Sequence, residues 1–299
     1  MVRTPPTFAK FDCLVLFDCI LSIFSYYRHH HLKRKKKQLL CYLVQWNFKL
    51  ASSIIHMLRI LPFVNSSLLR HFLFRLCHTI VMPNNIAPVN ETNLIERCAK
   101  ILKENGVIAV PTDTIYGLAA LVNSEQAVRR IYEIKGRSFT KPLAISVGTV
   151  DDIFSWSKPT LTKEQLGTGD LLPGPVTLMF ERNSSLPSYF NPDVKNVAMR
   201  IPKSQFIIEL AQYLQEPIAL TSANISNEPS TLSINEFQIL WPQVDLVVDG
   251  GLLASNDRRG STIVDLSQPG IFQIQRHGLD CERIIEYLKS SCSLCEKTM

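Results

Sequence analysis

Cationic side chains crowd into one short stretch of this chain, and that stretch has the chemistry of an anion site. Lys135, Arg137 and Lys141 lie within the seven residues K-G-R-S-F-T-K. A guanidinium makes paired hydrogen bonds to phosphate or carboxylate oxygens, and an ammonium adds a compact positive charge. The alternative is a solvated helix end whose positive charges complement the helix dipole.

Further residues with phosphate or carboxylate chemistry recur at the predicted ends of strands. They are Arg200 in V-A-M-R-I-P, Thr221, Ser222 and Asn224 in T-S-A-N, Ser261 in G-S-T-I-V-D, and Arg276 in Q-R-H-G. In an open α/β sheet, ligands bind at the ends of strands. Each of these residues alone also fits an ordinary turn or helix cap. The sequence lacks the common glycine-rich phosphate loop, dinucleotide fingerprint and zinc-protease motif.

The stretch 106–117, G-V-I-A-V-P-T-D-T-I-Y-G, is the element expected to position these residues. Its apolar run Val107–Val110 is typical of a strand buried on both faces. Pro111 has no N–H and should end that strand, which sets the polar triplet Thr-Asp-Thr at 112–114 just beyond it. The alternative is a plain strand-to-turn exit whose side chains bond only their own backbone.

Helices and strands alternate around this stretch. A first helix is predicted to be capped by Asn90 or Thr92 and to end at Asn105-Gly106, and a second runs from a cap at Ser124 to Lys135-Gly136. Further strands are predicted at Leu143–Val147, Val176–Phe180, Val197–Arg200, Ile218–Thr221, Leu246–Asp249, Thr262–Asp265 and Gln273–Arg276, with helices near Ser204–Gln215, Ser233–Leu240 and Cys281–Lys289.

These elements predict a single α/β domain with a twisted mixed β-sheet flanked by helices and a concave ligand-binding face. The sheet should be mixed because the helices are too few to give every strand a crossover partner. The predicted boundaries are 1–81 for an N-terminal extension, 91–284 for the domain and 285–299 for a C-terminal tail.

The positive charge of this 299-residue chain is concentrated at its N-terminal end. Residues 1–90 contain 12 Lys or Arg and 2 acidic residues, whereas residues 91–299 contain 20 and 24. A non-specific nucleic-acid binder usually needs a basic domain, and the predicted globular part is mildly acidic. The charge distribution therefore disfavours nucleic-acid binding as the main function of the globular part.

Residues 1–81 have the composition of a targeting segment. No acidic residue occurs in 19–90, and this region is rich in Arg and contains Ser, which is typical of a mitochondrial presequence. The alternative is upstream sequence of an over-extended gene model, with the true start at Met57 or Met82.

Two further classes of protein are disfavoured. The apolar run Leu14–Tyr27 is interrupted by Asp18 and is shorter than the ~20 residues of a bilayer span, so no stable membrane insertion is expected. The eight cysteines show no framework spacing and favour a reducing compartment. Cys292 and Cys295 form a lone C-x-x-C, which is a weak zinc or redox signal.

Taken in order, these pieces closely resemble the YrdC/Sua5 family, the threonylcarbamoyl-AMP synthases of tRNA modification. The blocks that carry the resemblance are P-T-D-T-I-Y-G-L at 111–118, K-G-R-S at 135–138, K-P-L at 141–143, L-L-P-G-P-V-T-L at 171–178, V-A-M-R-I-P at 197–202, L-T-S-A-N-I-S at 220–226, V-D-G-G at 248–251, G-S-T-I-V-D at 260–265 and Q-R-H-G at 275–278. The chain looks most like the eukaryotic, single-domain members. His277 stands where many members have proline.

The resemblance implies condensation of L-threonine, bicarbonate and ATP to threonylcarbamoyl-AMP and pyrophosphate, with Mg²⁺ accompanying ATP and no metal held by protein side chains. It also implies that the adenylate passes to a threonylcarbamoyl transferase complex that modifies adenosine 37 of tRNAs reading ANN codons. The protein would meet tRNA only indirectly, and we expect it in the cytoplasm and the mitochondrion.

The resemblance also assigns roles to individual residues. Those implied to hold threonine are Thr114, Ser146, Asn196, Arg200, Ser222 and Ser261. Those implied to hold ATP are Lys135, Arg137, Lys141, Asn224 and Arg276. Arg137 and Lys141 would stabilise the charge that develops on the departing pyrophosphate, with no covalent nucleophile. The competing hypothesis is a module that binds double-stranded RNA or tRNA through the same basic loops and has no synthase activity.

Overall fold

The computed structural model describes residues 85–255 and 257–297. The predicted targeting segment, the alternative start sites and the apolar run Leu14–Tyr27 lie outside these residues. Among the helices that the structure describes, none is long and apolar enough to cross a membrane.

Helices and strands alternate through most of the described chain. The helices are α1 (Leu94–Lys103), α2 (Glu125–Lys135), α3 (Val150–Trp156), α4 (Lys163–Gly167), α5 (Gln205–Leu214), a 3-10 helix (Ile234–Gln243) and α6 (Cys281–Ser290). The strands are β1 (Ile86–Pro88), β2 (Ile108–Val110), β3 (Gly117–Leu121), β4 (Ala144–Ser146), β5 (Ser157–Lys158), β6 (Val176–Arg182), β7 (Asn196–Arg200), β8 (Ile218–Ser222), β9 (Leu246–Asp249), β10 (Thr262–Asp265), β11 (Ile271–Arg276) and β12 (Cys295–Glu296).

The strands form one mixed sheet in the order β1-β9-β2-β3-β8-β4-β7-β6-β10-β11-β12, with β5 paired to β6. Strands β2, β3, β8 and β4 run antiparallel to their neighbours in that series, whereas β4 and β7, and likewise β6 and β10, are parallel. This arrangement confirms the predicted α/β fold with a mixed sheet.

The sheet separates two apolar layers. Alternate residues of β2 face opposite sides: Ala109 lies in a cluster with residues of α2, α3, α4, the 3-10 helix and α6, whereas Ile108 and Val110 lie in a cluster with α1 and α5. Because side chains alternate along a strand, a strand covered on both faces must be apolar throughout. The run Val107–Val110 is fully buried, as predicted.

Local signals around helix α2 are confirmed. The Ser124 side chain accepts a hydrogen bond from the Ala127 N–H, and Gly136 ends the helix in a left-handed conformation with φ of 57°. The start of α1 was predicted wrongly, because its N-cap is Asn93, itself left-handed, rather than Asn90 or Thr92. Asn93 makes no side-chain cap, so the sequence pattern of a capping residue does not apply there.

The described fold extends past both predicted domain boundaries. Strand β1 begins at Ile86 and pairs with β9, while the end of α6 and strand β12 occupy the region predicted as a tail. Leu288 and Cys292 are buried there, which makes residues 285–296 part of the packed structure. The four described cysteines, which are Cys98, Cys281, Cys292 and Cys295, are free thiols.

Candidate active site

A small cleft of about 180 Å³ opens on the middle of the sheet. Residues from seven consecutive strands, β3, β8, β4, β7, β6, β10 and β11, contribute to its lining. A cleft of this size can hold a small ligand such as an amino acid but is too small to enclose a whole nucleotide. Its lining residues include Thr112, Tyr116, Arg137, Thr177, Arg200, Ser222, Ser230, Ser261 and Arg276.

Arg200 ends strand β7 and is the most deeply buried cation of the cleft. Its Nη2 donates to Asp113 Oδ1 at 2.6 Å, and its Nη1 donates to Thr114 Oγ1 at 3.3 Å. Burial lowers the pKa of Arg200, and the neighbouring Asp113 carboxylate opposes that shift. The guanidinium stays charged because arginine begins from so high a pKa.

Two buried polar atoms at this point have no hydrogen-bond partner among the described residues. They are Arg200 Nε and Ser146 Oγ. Ser146 on β4 is in register with Arg200 on the parallel neighbour β7, so both side chains point to the same face of the sheet. A buried donor without a partner costs about 1–3 kcal/mol. A polar ligand group bound between them would remove that cost.

A second group of polar side chains lies on the other side of Arg200. Ser261 Oγ is 2.8 Å from Thr177 Oγ1, and Arg276 donates from Nε and Nη2 to the Ser261 carbonyl oxygen at 3.1 and 2.7 Å. Burial, and then the positive charge of Arg200, lower the pKa of Arg276. Glycine at position 278 allows the chain after β11 to pass close to the Ser261 backbone, since an added Cβ would lie 2.3 Å from the Ser261 carbonyl carbon. Two guanidiniums therefore face one cleft, which favours an anionic ligand.

Lys135 is the last residue of α2 and is almost completely buried. Its Nζ donates to the carbonyl oxygens of Ser222 and of Asn224, the latter at 2.7 Å. Burial lowers the pKa of Lys135 to about 7, and the charge of Arg137 adds to the shift. The ammonium thus ties α2 to the T-S-A-N segment and contacts protein oxygens rather than the open cleft.

Arg137 lines the cleft from the loop that follows α2. Its Nε donates to the Lys141 carbonyl oxygen at 3.2 Å and its Nη2 to the Pro142 carbonyl oxygen at 3.0 Å. The side chain of Lys141 points away into solvent, with Nζ 3.4 Å from Asn227 Oδ1. The cationic loop therefore presents one guanidinium to the cleft and keeps one ammonium on the exterior.

The structure brings most, but not all, of the predicted site residues together. Arg137, Arg200, Ser222, Ser261 and Arg276 line the cleft. Thr114 and Ser146 are buried directly beside Arg200, with Thr114 reaching the cleft only through that residue.

Besides Lys135 and Lys141, two more predicted site residues, Asn196 and Asn224, do not line this cleft. Asn196 is at the opposite end of β7 from Arg200, about 13 Å away along the strand, so one threonine molecule does not span both residues. Asn224 donates to the carbonyl oxygens of Ile225 and Glu228 and lines a neighbouring cleft of about 210 Å³. Alternating strand patterns do not reveal which end of a strand faces a ligand.

Three residues of the site have no assigned role in the sequence prediction. They are Thr177, which contacts Ser261; Tyr116, whose hydroxyl donates to the Gly251 carbonyl oxygen at 2.8 Å; and Asp113. Burial raises the pKa of Tyr116 to about 12. Asp113 carried a usable signal, because an acidic residue directly after a buried strand stands at the ligand-binding edge of the sheet.

Comparison with known proteins gives a consistent group of relatives. The Sua5/YciO/YrdC family model, described as telomere recombination, matches residues 100–278. Threonylcarbamoyl-AMP synthases of Mus musculus and Homo sapiens are each 43% identical over 207 residues, which is 68% of this chain and 73% and 74% of theirs. A crystal structure of Pyrococcus abyssi Sua5 complexed with L-threonine is 28% identical with a TM-score of 0.63, covering 71% of this chain and 62% of that one.

Proposed function

The chain belongs to the Sua5/YciO/YrdC family, and from that premise we propose that it is an L-threonylcarbamoyl-AMP synthase. The proposed reaction joins L-threonine, bicarbonate and ATP and releases pyrophosphate. The observation that carries the proposal is the pair of unpartnered buried polar atoms, Arg200 Nε and Ser146 Oγ, at the edge of a cleft of amino-acid size that Arg200 itself lines.

The cleft offers separate partners for each part of threonine. The carboxylate would bind Arg200, whose Nε–H is free to donate, and Ser146 Oγ would add a second hydrogen bond. The hydroxyl of threonine would meet Ser222 and Ser261, and the methyl group would contact apolar lining such as Leu220. The carboxylate and the hydroxyl of the substrate would then have protein partners, as burial requires, and the amine would remain available to react.

The triphosphate would bind on the cationic side of the cleft. Arg137 and Arg276 present guanidiniums there, while Lys141 lies on the solvent side of the loop that carries Arg137. These charges would neutralise the pyrophosphate as it leaves, which is the largest electrostatic demand of adenylate formation. Lys135 would contribute indirectly, because its Nζ binds the backbone carbonyl oxygens of Ser222 and Asn224 and holds that segment in place.

Catalysis would come mainly from positioning. The threonine amine attacks the carbon of bicarbonate and a C–O bond of bicarbonate breaks with release of water, which leaves the carbamate. A carbamate oxygen then attacks the α-phosphate, and the bond from that phosphorus to pyrophosphate breaks. Holding the three reactants together replaces encounters in solution with reaction inside one cleft. None of the residues that line the cleft is positioned as a covalent nucleophile activated by a neighbouring base.

Mg²⁺ would enter as part of the ATP substrate. Among residues 85–255 and 257–297, no cluster of three His, Cys, Asp or Glu residues is placed to hold a metal ion. The lining of the cleft provides hydroxyls and guanidiniums and no carboxylate, so phosphate oxygens would be the ligands of the ion. The ion would supply charge neutralisation on the phosphates.

The wider setting of the reaction is what the resemblance to the family implies. Threonylcarbamoyl-AMP is an activated anhydride that a transferase complex would consume in modifying adenosine 37 of tRNAs that read ANN codons. The synthase itself would need no tRNA contact. We propose both the cytoplasm and the mitochondrion as its locations, on the composition of residues 1–81.

The test is pyrophosphate release by the purified full chain with ATP, Mg²⁺, threonine and bicarbonate. We expect release that requires threonine and bicarbonate and proceeds in nuclease-treated samples without RNA. Omitting each substrate in turn is the control. Release that depends on added RNA, or no release at all, would favour the RNA-binding hypothesis instead.

A further inference from the structure

Asp113 is a buried carboxylate held by the protein through both of its oxygens. Its side chain is 10% exposed and that of Arg200 is 7% exposed. Oδ1 accepts from Arg200 Nη2 at 2.6 Å, and Oδ2 accepts from the backbone N–H of Lys203 at 3.0 Å. The bond to Lys203 fixes the carboxylate to the chain that follows β7. Asp113 is thus anchored independently of the guanidinium that it binds.

This anchoring determines the orientation of Arg200. The guanidinium is planar, so fixing two of its nitrogens fixes the direction of the third. Asp113 engages Nη2 and Thr114 Oγ1 engages Nη1, which leaves Nε as the buried donor without a partner. Strand pairing places Ser146, whose Oγ is also unpartnered, beside this donor. The two unused atoms lie on neighbouring strands and on the same face of the sheet, while Asp113 and Thr114 bind the terminal nitrogens of the guanidinium.

We propose that Asp113 is a positioning residue for the amino-acid substrate, aligning the Nε–H edge of Arg200 with the substrate carboxylate. The inference rests on the proposed function of the cleft as a threonine site. Asp113 acts through Arg200, since it is not among the residues that line the cleft. Its loss should therefore weaken threonine binding while leaving the binding of ATP, on the side of Arg137, little changed.

A purely structural role makes a different prediction. A buried guanidinium without a counterion is strongly destabilising, so any anionic partner would satisfy a need for charge balance. Asp113→Glu keeps the charge but adds one methylene, which displaces the carboxylate from its bond to Lys203 and turns the guanidinium. If Asp113 positions Arg200, this variant loses threonine affinity. If Asp113 only balances charge, this variant behaves as the wild type.

The experiment compares Asp113→Glu, Asp113→Asn and a control in the full chain. The control is Asp151→Asn, because Asp151 pairs with Lys163 at 2.5 Å on the exterior, where both side chains are more than half exposed. We expect the KM for threonine to rise about tenfold or more in both Asp113 variants, with kcat and the KM for ATP within about twofold of wild type. The control should match the wild type in all three constants.

Melting temperatures and calorimetric titration with threonine complete the design. Should Asp113→Asn fail to fold, Asp113→Glu carries the test, since it retains the buried charge. A wild-type threonine KM in folded Asp113→Glu, or equal increases in the KM values for threonine and ATP, would overturn the inference. If the wild type binds threonine but forms no adenylate, the proposed function fails while the titration still decides the role of Asp113.

Discussion

Arg137 presents a half-buried guanidinium to the cleft, and its removal should be costly. Losing one electrostatic partner of a developing charge costs about 2.7–4 kcal/mol, so Arg137→Ala should lower kcat/KM by roughly 100-fold or more. Arg137→Lys should recover only part of this loss, because an ammonium lacks the bidentate fork. Steady-state pyrophosphate release measures both variants.

A matched control for this prediction lies eight residues earlier in the chain, on helix α2. Arg129 is exposed and pairs with Glu125 at 2.6 Å on the same helix α2. Arg129→Ala should therefore retain wild-type kcat/KM. If Arg137→Ala also retained it, the guanidinium would serve only to bind the carbonyl oxygens of Lys141 and Pro142 at the end of the helix.

The choice of amino acid tests the two serines of the cleft. If Ser222 and Ser261 bond the threonine hydroxyl, serine loses only methyl packing and should be used roughly 10–200-fold less well. Valine should be worse, by up to about 10⁴-fold, because it leaves buried hydroxyl partners unpaired. Adenylate formation with each amino acid at equal subsaturating concentration gives the ranking. Valine equal to or better than serine would remove both serines from hydroxyl recognition.

At the scale of elements, Lys135 connects the end of α2 to the end of β8 and makes that connection sensitive to pH. Its folded-state pKa of about 7 lies below the ordinary value of 10.5. Between these values the unfolded chain binds the proton more tightly, so the contribution of Lys135 to stability is fully present above pH 10.5 and is lost as pH falls to 7.

The corresponding measurement is the free energy of unfolding of wild type minus that of Lys135→Met, which cannot titrate. The difference should rise with pH between about 7 and 10.5, by at most about 1.4 kcal/mol per pH unit, and should be flat below pH 7. Urea denaturation across this range, with Lys103→Met on the solvent side of α1 as control, gives the two curves. A difference independent of pH would mean that Lys135 remains charged in the folded protein.

The sequence predicts those elements whose local signals agree with their burial. Local residues determine several features, which can therefore be predicted from the sequence: the run Val107–Val110, its end at Pro111, and the cap and end of α2. Strand β3 was missed because G-L-A-A-L lacks the β-branched residues and the alternation that mark strands. Strands β1 and β12 were missed because each is stabilised by a partner strand distant in sequence.

The same distinction between local and distant contacts explains the candidate site. Polar and charged residues near the ends of helices and strands were identified from type and position, and five of them line the cleft: Arg137, Arg200, Ser222, Ser261 and Arg276. The role of Asp113 depends on Arg200, which lies 87 residues away in the chain. The family resemblance assigned Asn196 to threonine, but Asn196 begins strand β7 and Arg200 ends it, so the length of the strand separates the two residues. Contacts and separations between residues that are far apart in the chain can be identified only from the folded structure.

At the scale of the whole molecule, the charge of the chain and its chemistry belong to different regions. Every residue that lines the cleft lies between 112 and 276, and the compact unit that contains them begins at Met82. Residues 1–90 carry most of the net positive charge. A basic pI for the whole chain therefore says little about the ligand of the cleft.

This separation predicts that residues 1–81 are dispensable for catalysis and serve targeting. A chain that starts at Met82 should retain kcat/KM within about twofold, because none of the residues that bind or position substrate has been removed. The full chain, with its acid-free basic region, should enter isolated mitochondria, and the shortened chain should not. A third chain that starts at Met57 separates the two parts of the extension.

A large loss of activity in a shortened chain that still melts cooperatively would assign residues 1–81 a part in the reaction. Equal import of all three chains would instead remove the targeting role and favour an over-extended gene model.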